Sequence, residues 1–240
     1  MHFETRYTYD FVKRSLPSKC QRILEVGCGK GDLAAVLWRD GYSVVAIDVD
    51  SDSIAAAQEL GVDARVATWP DFEDGRFDAV LFTRSLHHIH PLDESIRHLT
   101  DSLSERGRVI VEDFAYESVD AKTLRWFDSA VRQLESTPSL TTNNDLLRKV
   151  LSKTKTLKAW RKNHENELHA AGEIKAQLEK TFGRVVSEKT AYFFRYAANA
   201  IPVTEKRNAL LQAFAKEEET LYKNNSIVAL GRRFVAAAGG

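Results

Sequence analysis

The feature that most constrains the fold is a repeated alternation between short apolar runs and helical stretches over residues 22–112. The apolar runs lie at 23–26, 43–47, 62–67, 77–82 and 108–111. Strands this apolar are buried on both faces, because each crossover in a parallel sheet packs a helix against it. The alternation therefore predicts a doubly wound α/β fold, whose ligand site lies at the carboxyl ends of the strands.

The segments between and after these runs complete the expected architecture. We predict helices at 32–39, at 93–103, and up to Leu60 with Asp52 or Ser53 as the N-cap. Residues 119–180 show helical periodicity and no convincing strand, in apolar positions that include Leu124, Phe127, Leu146, Leu147, Val150 and Leu151. Beyond them we predict strand at 184–186 and 190–196, a helix at 205–222 and a last strand at 227–236.

These elements predict one domain over residues 1–240. Its sheet is seven-stranded and mostly parallel, with helices on both faces. The stretch 119–180 is too long for a simple crossover, so we expect a helical cap inserted between the fifth and sixth strands and lying over the site.

Composition excludes several classes of protein. The 34 Lys and Arg balance 34 Asp and Glu, so the chain lacks the basic excess that makes a nucleic-acid partner probable by counterion release. Cys20 and Cys28 are too few for a disulfide framework and have no zinc-binding neighbours at the usual spacing. No run reaches the length of a membrane span and the N-terminus lacks a signal-like apolar segment, so we expect a cytoplasmic protein without a membrane partner.

The stretch with the clearest chemical meaning is Glu25-Val26-Gly27-Cys28-Gly29-Lys30-Gly31, which directly follows the first strand. Alternate glycines allow a sharp turn and a close backbone approach to a ligand, and they expose amides at a helix start. Asp48 stands 17 residues beyond Gly31, at the end of the second strand, where an acid can bind both hydroxyls of a ribose. A bare structural turn and a simple helix cap are the alternatives for the glycines and for Asp48.

A dinucleotide-binding dehydrogenase would need glycine at Asp32, and an acid at Glu25 is unexpected there. The acid followed by G-x-G-x-G instead resembles the first motif of class I S-adenosylmethionine-dependent methyltransferases. Residues 44–48, 75–89 and 103–111 are similar to later motifs of that family, although the usual Pro-Gly-Gly turn is Glu-Arg-Gly at 105–107. The resemblance covers residues 20–115 well and implies S-adenosylmethionine as the cofactor.

By this resemblance Glu25, Gly27 and Gly29 lie along the methionine and ribose portion of the cofactor, and Asp48 holds the ribose. The family often has an acid after the third strand for the adenine amino group. Thr68 and Trp69 stand there instead, as a possible hydrogen-bonding group and a possible stacking ring. The candidate cofactor set is completed by neighbouring positions: Cys28, Gly31, Val49 and Thr83.

Methyl transfer needs alignment of the acceptor, exclusion of water and, for some acceptors, removal of a proton, but no metal. The candidates near the strand ends are His87, His88 and Asp113, with Glu112 beside them. Imidazole titrates near neutrality and suits deprotonation of a phenol, amine or thiol, while packing under the loop is the alternative for each histidine. Alternation along a strand means that Glu112 and Asp113 point in opposite directions.

The remaining candidates lie beyond the fifth strand, where Trp160, His164, Glu165, Glu167 and His169 belong to the expected cap. His164 and His169 are five residues apart, so they do not share a helical face for a metal. A basic run is either a solvated face or an attraction for an anionic acceptor; it comprises Arg148, Lys149, Lys153, Lys155, Lys158, Arg161 and Lys162. The aromatic residues 192–196, read as strand, would send alternate rings to opposite faces.

We therefore predict methyl transfer from S-adenosylmethionine to an O, N or S nucleophile of a small molecule. The alternatives are a tRNA or rRNA methyltransferase, suggested by the basic run, and a non-catalytic module that only binds the cofactor.

Overall fold

A computed structural model describes residues 1–135, 151–152, 154–164, 168–198, 201 and 205–239. Several sequence-based predictions fall outside these residues: the helical positions Leu146, Leu147 and Val150, the basic residues Arg148, Lys149 and Lys153, and the cap candidates Glu165 and Glu167.

The described elements alternate as the sequence predicts up to the fifth strand. The strands are β1 Arg22–Val26, β2 Ser43–Asp48, β3 Asp63–Val66, β4 Phe77–Thr83, β5 Leu103–Phe114, β6 Val185–Thr190 and β7 Gly231–Ala237. The helices are α1 Phe3–Ser15, α2 Asp32–Arg39, α3 Ser51–Glu59, α4 Leu92–Ser102, α5 Ala121–Glu135, α6 Leu157–Lys162, α7 Ala171–Phe182, α8 Phe194–Ala198 and α9 Glu205–Lys223. Short 3₁₀ turns lie at Leu86–His88 and Tyr116–Ser118.

The seven strands form one sheet in the order β3-β2-β1-β4-β5-β7-β6. The pairs β1–β2, β2–β3, β1–β4 and β4–β5 are parallel, and the C-terminal hairpin is reversed. This confirms the predicted α/β class with a mostly parallel sheet surrounded by helices. The strand order reverses between β1 and β4, which is where a doubly wound sheet opens a crevice for a ligand.

Four local predictions are wrong, and the first is the last strand, which begins at Gly231 rather than at residue 227. The N-cap of α3 is Asp50, whose carboxylate accepts from the Ser53 amide at 3.0 Å, rather than Asp52 or Ser53. Strand β5 begins at Leu103, five residues before the apolar run that signalled it. Residues 190–196 are not a strand: β6 ends at Thr190 and the short helix α8 begins at Phe194.

Contacts divide the chain into two compact units. One comprises residues 5–113, 169–188 and 233–240, and the other comprises residues 1–4, 114–168 and 189–232. The first unit contains the parallel strands, and its core packs α1, α2 and α3 against β1 and β2 through buried side chains: Phe11, Val12, Ile23, Leu37, Ala46 and Ile54. The predicted cap is therefore distributed, with α5 and α6 in the second unit and α7 in the first.

The second unit has an aromatic core of its own. Phe127 and Phe193 are fully buried with ring centroids 4.8 Å apart, and Trp160 is buried 6.0 Å from Phe193. The indole of Trp160 donates to the carbonyl of Tyr116 at 2.8 Å, so its polar edge is satisfied as well. In the part of the chain that the structure describes, no helix combines the length and apolar character that crossing a bilayer requires.

Candidate functional site

Three glycines shape the loop between β1 and α2, and they differ in what a side chain at each position would contact. Gly27, Gly29 and Gly31 all have positive φ, at 71°, 51° and 75°. A Cβ on Gly27 would lie 2.4 Å from the Cβ of Ser85, and one on Gly31 would lie 2.6 Å from the Cβ of Ala57. A Cβ on Gly29 would meet nothing within 4 Å. Gly27 and Gly31 thus permit close packing of the protein, whereas Gly29 borders open space.

Four amides of this loop, those of Gly27, Cys28, Gly29 and Gly31, are bonded within the protein, so for these four the expected exposure to a ligand is wrong. The amides of Gly27 and Cys28 both donate to the carbonyl of Ile47, at 2.8 and 3.0 Å, and the amide of Gly31 donates to Cys28 at 3.1 Å. The amide of Gly29 donates to Oδ2 of Asp48 at 2.8 Å. The amides of Gly27, Cys28 and Gly29 therefore tie the loop to β2, and the carboxylate oxygens of Asp48 keep acceptor capacity for a ligand.

Asp48 stands half-buried at the end of β2 with unused acceptor capacity. Its Oδ2 accepts from Gly29 and its Oδ1 accepts from the Asp50 amide at 3.0 Å. A carboxylate oxygen has two lone pairs, so each oxygen can accept one more hydrogen bond, as a pair of adjacent hydroxyls would provide. Val49 follows directly and is 68% exposed, which leaves an apolar surface beside the carboxylate.

Glu25 lies at the crevice between β1 and β4, buried and incompletely satisfied. Its Oε1 accepts from the hydroxyl of Thr83 at 2.9 Å, while Oε2 is buried without a hydrogen-bond partner of normal geometry among the described residues. Burial raises the pKa of Glu25 to about 7, although Thr83, Arg84 and the Ala34 amide partly offset this. A buried carboxyl of this kind favours a cationic ligand, because a positive charge would stabilise its ionised form.

The thiol of Cys28 is suited neither to proton transfer nor to nucleophilic attack at neutral pH. Its thiol points back to the carbonyl of Gly29, at 3.4 Å, and burial raises the pKa of Cys28 to about 12. The thiol is therefore protonated at neutral pH and is a poor nucleophile.

The two residues considered for adenine differ in accessibility. Thr68 is exposed and its hydroxyl donates to Oδ2 of Asp71 at 2.9 Å. Trp69 is only 6% exposed, with its indole nitrogen bonded to the Ser95 carbonyl and its ring edge-on to Phe82 and His98. Trp69 thus packs within the first unit and offers little ring surface for a purine.

His87 and Asp113 come together at the carboxyl ends of β4 and β5. Nδ1 of His87 lies 2.7 Å from Oδ1 of Asp113, and the His87 amide donates to Oδ2 at 3.3 Å. Both residues are buried, with Asp113 fully so. His88 is exposed, with its ring centroid 4.1 Å from that of His87. The amide of His169 also donates to the carbonyl of His87, at 2.9 Å, which pins the loop to the segment before α7.

Glu112 points the other way, as strand alternation predicts, and holds a buried ionic cluster. Its Oε2 lies 2.6 Å from Nη2 of Arg233, and its Oε1 accepts from the Thr8 hydroxyl at 2.7 Å and from Arg84 at 3.3 Å. Arg84 has a φ of 69°, which is unusual for a residue with a side chain, and its amide donates to the Glu112 carbonyl at 2.7 Å.

This cluster was missed in the sequence, because Thr8, Arg84 and Arg233 are far apart along the chain. The positive φ of Arg84 is not visible in the sequence either, because no local pattern predicts it at an arginine. The cluster joins Thr8 of α1 to Arg84 on the loop after β4. The same loop contacts the glycine turn, because the Ser85 hydroxyl donates to the Val26 carbonyl at 2.5 Å.

The expected cap residues lie in both units. His164 belongs to the second unit, where its Nδ1 lies 2.7 Å from the Trp160 carbonyl and its ring stacks on Tyr116. His169 belongs to the first unit, where its Nε2 lies 3.0 Å from the Ile89 carbonyl. Burial and the neighbouring His90 lower the pKa of His169. The described basic residues Lys155, Lys158, Arg161 and Lys162 lie in or beside α6.

The aromatic run 192–196 is folded around a buried carboxylate that the sequence did not single out. Oε1 of Glu218 accepts from the amides of Tyr192 and Phe193 at 2.7 and 3.1 Å. Burial raises the pKa of Glu218 to about 8. Across the ranges given above, no group of three His, Cys, Asp or Glu side chains is arranged to hold a metal ion.

The fold and this crevice define a class of protein: the seven-stranded sheet with a reversed C-terminal hairpin is the class I methyltransferase fold. A model of the methyltransferase-domain family matches residues 2–164, which is most of the chain. The chain therefore belongs to this family, in the class I group that uses S-adenosylmethionine as methyl donor.

Individual relatives agree with this assignment. An uncharacterized methyltransferase of Staphylococcus carnosus is 33% identical over 101 residues, which are 40% of this chain and 49% of that protein. A ubiquinone biosynthesis O-methyltransferase of Xanthomonas oryzae is 27% identical over 197 residues, 78% of this chain and 80% of that protein. The chain spans about half the length of the first curated relatives it matches.

Among solved structures, phosphoethanolamine N-methyltransferase 2 of Haemonchus contortus in complex with S-adenosyl-L-methionine is similar. It matches with a TM-score of 0.59 at 17% identity, over 98% of this chain and 53% of that one. At this identity the likeness shows a shared fold.

Proposed function

We propose that this protein transfers the methyl group of S-adenosylmethionine to an O, N or S nucleophile of a small molecule, with His87 as the general base. The observation that carries the proposal is the buried pair of His87 and Asp113, with 2.7 Å between Nδ1 and Oδ1, on the loop that abuts the glycine turn. The protein would then be a catalyst rather than a module that only binds the cofactor.

The residues of the crevice fit the cofactor. Asp48 has free lone pairs for two ribose hydroxyls, Gly29 leaves the adjoining space open, and Val49 supplies an exposed apolar surface for the adenine. The unsatisfied Oε2 of Glu25 suits the positively charged methionine portion. Gly27 and Gly31 support the loop by packing, Thr83 orients Glu25, and Cys28 and Thr68 adjoin the site without a necessary role.

The donor supplies, when bound, an electrophilic methyl group on a positively charged sulfur. The protein has to align the acceptor, exclude water and accept its proton. Asp113 beside Nδ1 of His87 favours the tautomer with the proton on Nδ1, which leaves Nε2 as the basic nitrogen. A proton lost by a phenol, amine or thiol would pass to that nitrogen, and His88 is the exposed neighbour that could exchange it with water.

A small-molecule acceptor has the stronger support. The Xanthomonas relative is named as an O-methyltransferase of ubiquinone biosynthesis, and the Haemonchus protein as an N-methyltransferase of phosphoethanolamine. The chain has no net positive charge that would favour RNA. Helices of residues 119–180 covering the acceptor, as a part of a single methyltransferase domain, remain a prediction. Both cysteines are free, which suits the reducing cytoplasm we propose as its location.

The decisive test is incubation of a cell extract with the protein and methyl-labelled donor, followed by mass spectrometry. We expect label in a small molecule; label in RNA would favour the nucleic-acid alternative, and no label despite donor binding would favour the binding module.

The matched variants are His87→Gln and His88→Gln. With the labelled acceptor, His87→Gln should lower kcat by about 10²–10⁴-fold, while the Kd of S-adenosylhomocysteine stays within about twofold. His88→Gln should retain the kcat and the Kd of the wild type. An unchanged kcat in His87→Gln would refute the assignment of the base.

A further inference from the structure

A second cleft lies in the first unit, in the amino-terminal half of the parallel sheet. Its volume is about 480 Å³, and it is bordered by the end of α1, by β7 and by the start of β6. Arg108 marks its position along β5: it pairs with Ala79, which pairs in turn with Ile23 near the start of β1. Asp113 is five residues further along β5, roughly 16 Å at the usual rise per residue of a strand. The cleft is therefore separate from the methyl-transfer site.

Three arginines line this cleft, and among the described residues only Arg14 pairs with a carboxylate. Arg14 forms an ion pair with Glu188, which also contacts Arg233. Arg108 donates to the carbonyls of Ser15 and Leu16, at 2.8 and 3.4 Å, which orients its guanidinium but leaves its charge in place. Arg184 is exposed and has no carboxylate partner among the described residues.

The rest of the lining is apolar. Phe182 and Val235 contribute side chains, Val186 is 58% exposed on β6, and Ala236 and Ala237 add small surfaces at the end of β7. An apolar ligand group that covered Val186 and its apolar neighbours would remove apolar surface from water, which is favourable.

We propose that this cleft binds a small amphiphilic anion, a phosphate or carboxylate joined to an apolar chain or ring. The head group is bound by the guanidinium groups of Arg108 and Arg184, whose planar donors match the oxygens of such an anion. The apolar part lies against Val186 and Phe182. The volume fits a small ligand, since such clefts usually measure about 300–1,000 Å³.

The cleft does not suit other ligand classes. Metal cations are disfavoured by three arginines that outnumber the one carboxylate beside them. An uncharged apolar ligand would leave Arg108 and Arg184 without a counter-charge, and a bare inorganic anion would leave the exposed Val186 in water. Only a ligand with an anionic group and an apolar group contacts both the arginines and the apolar residues of the lining.

The test is a titration of the isotopically labelled protein with hexyl phosphate, inorganic phosphate and hexanol, followed by NMR chemical shifts. We expect hexyl phosphate to shift amide signals at 182–186 and 235–237 with a Kd at least tenfold below that of the other two. Raised salt should weaken its binding, because ionic contacts are screened. Comparable affinity for hexanol or for phosphate would overturn the proposal, as would shifts confined to other residues.

Variants locate the two halves of the site. Arg184→Gln should weaken hexyl phosphate about tenfold, and Val186→Asp should weaken it at least as much, with no change in the affinity for S-adenosylhomocysteine. Arg39→Gln, an exposed arginine on α2, is the matched control and should bind as the wild type does. Arg184 is exposed and its side chain forms no hydrogen bond or ion pair with the described residues, so the variant should fold. Wild-type affinity in both cleft variants would refute the proposal.

Discussion

Alanine at Gly27 and at Gly29 should separate stability from cofactor binding. Both positions have positive φ, so each alanine costs about 1–2 kcal/mol of backbone strain. At Gly27 the new Cβ would also lie 2.4 Å from the Cβ of Ser85, and forcing a well-packed contact apart costs about 1–3 kcal/mol more. We therefore expect Gly27→Ala to lose about 2–5 kcal/mol of stability and Gly29→Ala only about 1–2 kcal/mol.

Guanidinium unfolding followed by far-ultraviolet circular dichroism measures the difference in stability between the two alanine variants. Calorimetric titration with S-adenosylhomocysteine measures their cofactor binding. Gly29→Ala should stay folded but bind more weakly, and Gly29→Val should bind hardly at all, because the side chain enters the open space beside Asp48. Equal loss of stability in the two alanine variants would refute the packing argument. Unchanged binding in Gly29→Val would refute the assignment of the open space to the cofactor.

Three further predictions concern buried groups. Glu25→Gln should be more stable relative to wild type at pH 8 than at pH 5, by up to about 3 kcal/mol in urea unfolding: the pKa of Glu25 is raised to about 7, so wild type loses stability as pH rises towards 7. A difference that does not vary with pH would contradict this. Cys28 should react with iodoacetamide at pH 8 far more slowly in the folded protein than in urea, because burial raises its pKa to about 12; equal rates would exclude such a shift. Glu112→Gln should cost about 3–5 kcal/mol, since the buried Arg233 would lose its closest counter-charge and keep only the longer contact with the half-exposed Glu188, and a loss below 1 kcal/mol in the same unfolding assay would argue against a buried ion pair.

The sequence predicts β1, β2, β4 and α2 well because a strand buried on both faces carries a local signal: a short apolar run between turns. The run at 190–196 fails for a long-range reason. Its aromatic residues favour strand, but the amides of Tyr192 and Phe193 donate to the carboxylate of Glu218, which lies on α9. A contact between segments 25 or more residues apart is not visible in local composition. With these two amides bonded to Glu218, the chain continues as the helix α8 and not as a strand.

The site shows the same division between local and distant causes. Alternate glycines after one strand and an acid at the end of the next single out Gly29 and Asp48 as candidates from spacing alone. Whether a glycine faces a ligand or the protein depends on what lies opposite, and only the structure shows Ser85 against Gly27. The pairing of His87 with Asp113 follows from the register of β4 and β5, where Thr83 pairs with Glu112.

We propose that the crevice beside Gly29 and Asp48 holds the adenosyl part of the methyl donor. A crystal structure with S-adenosylhomocysteine is the clearest test. We expect both ribose hydroxyls within hydrogen-bonding distance of the two Asp48 oxygens, with the adenine against Val49. A compound bound elsewhere, with Asp48 still bonded only to the amides of Gly29 and Asp50, would contradict it.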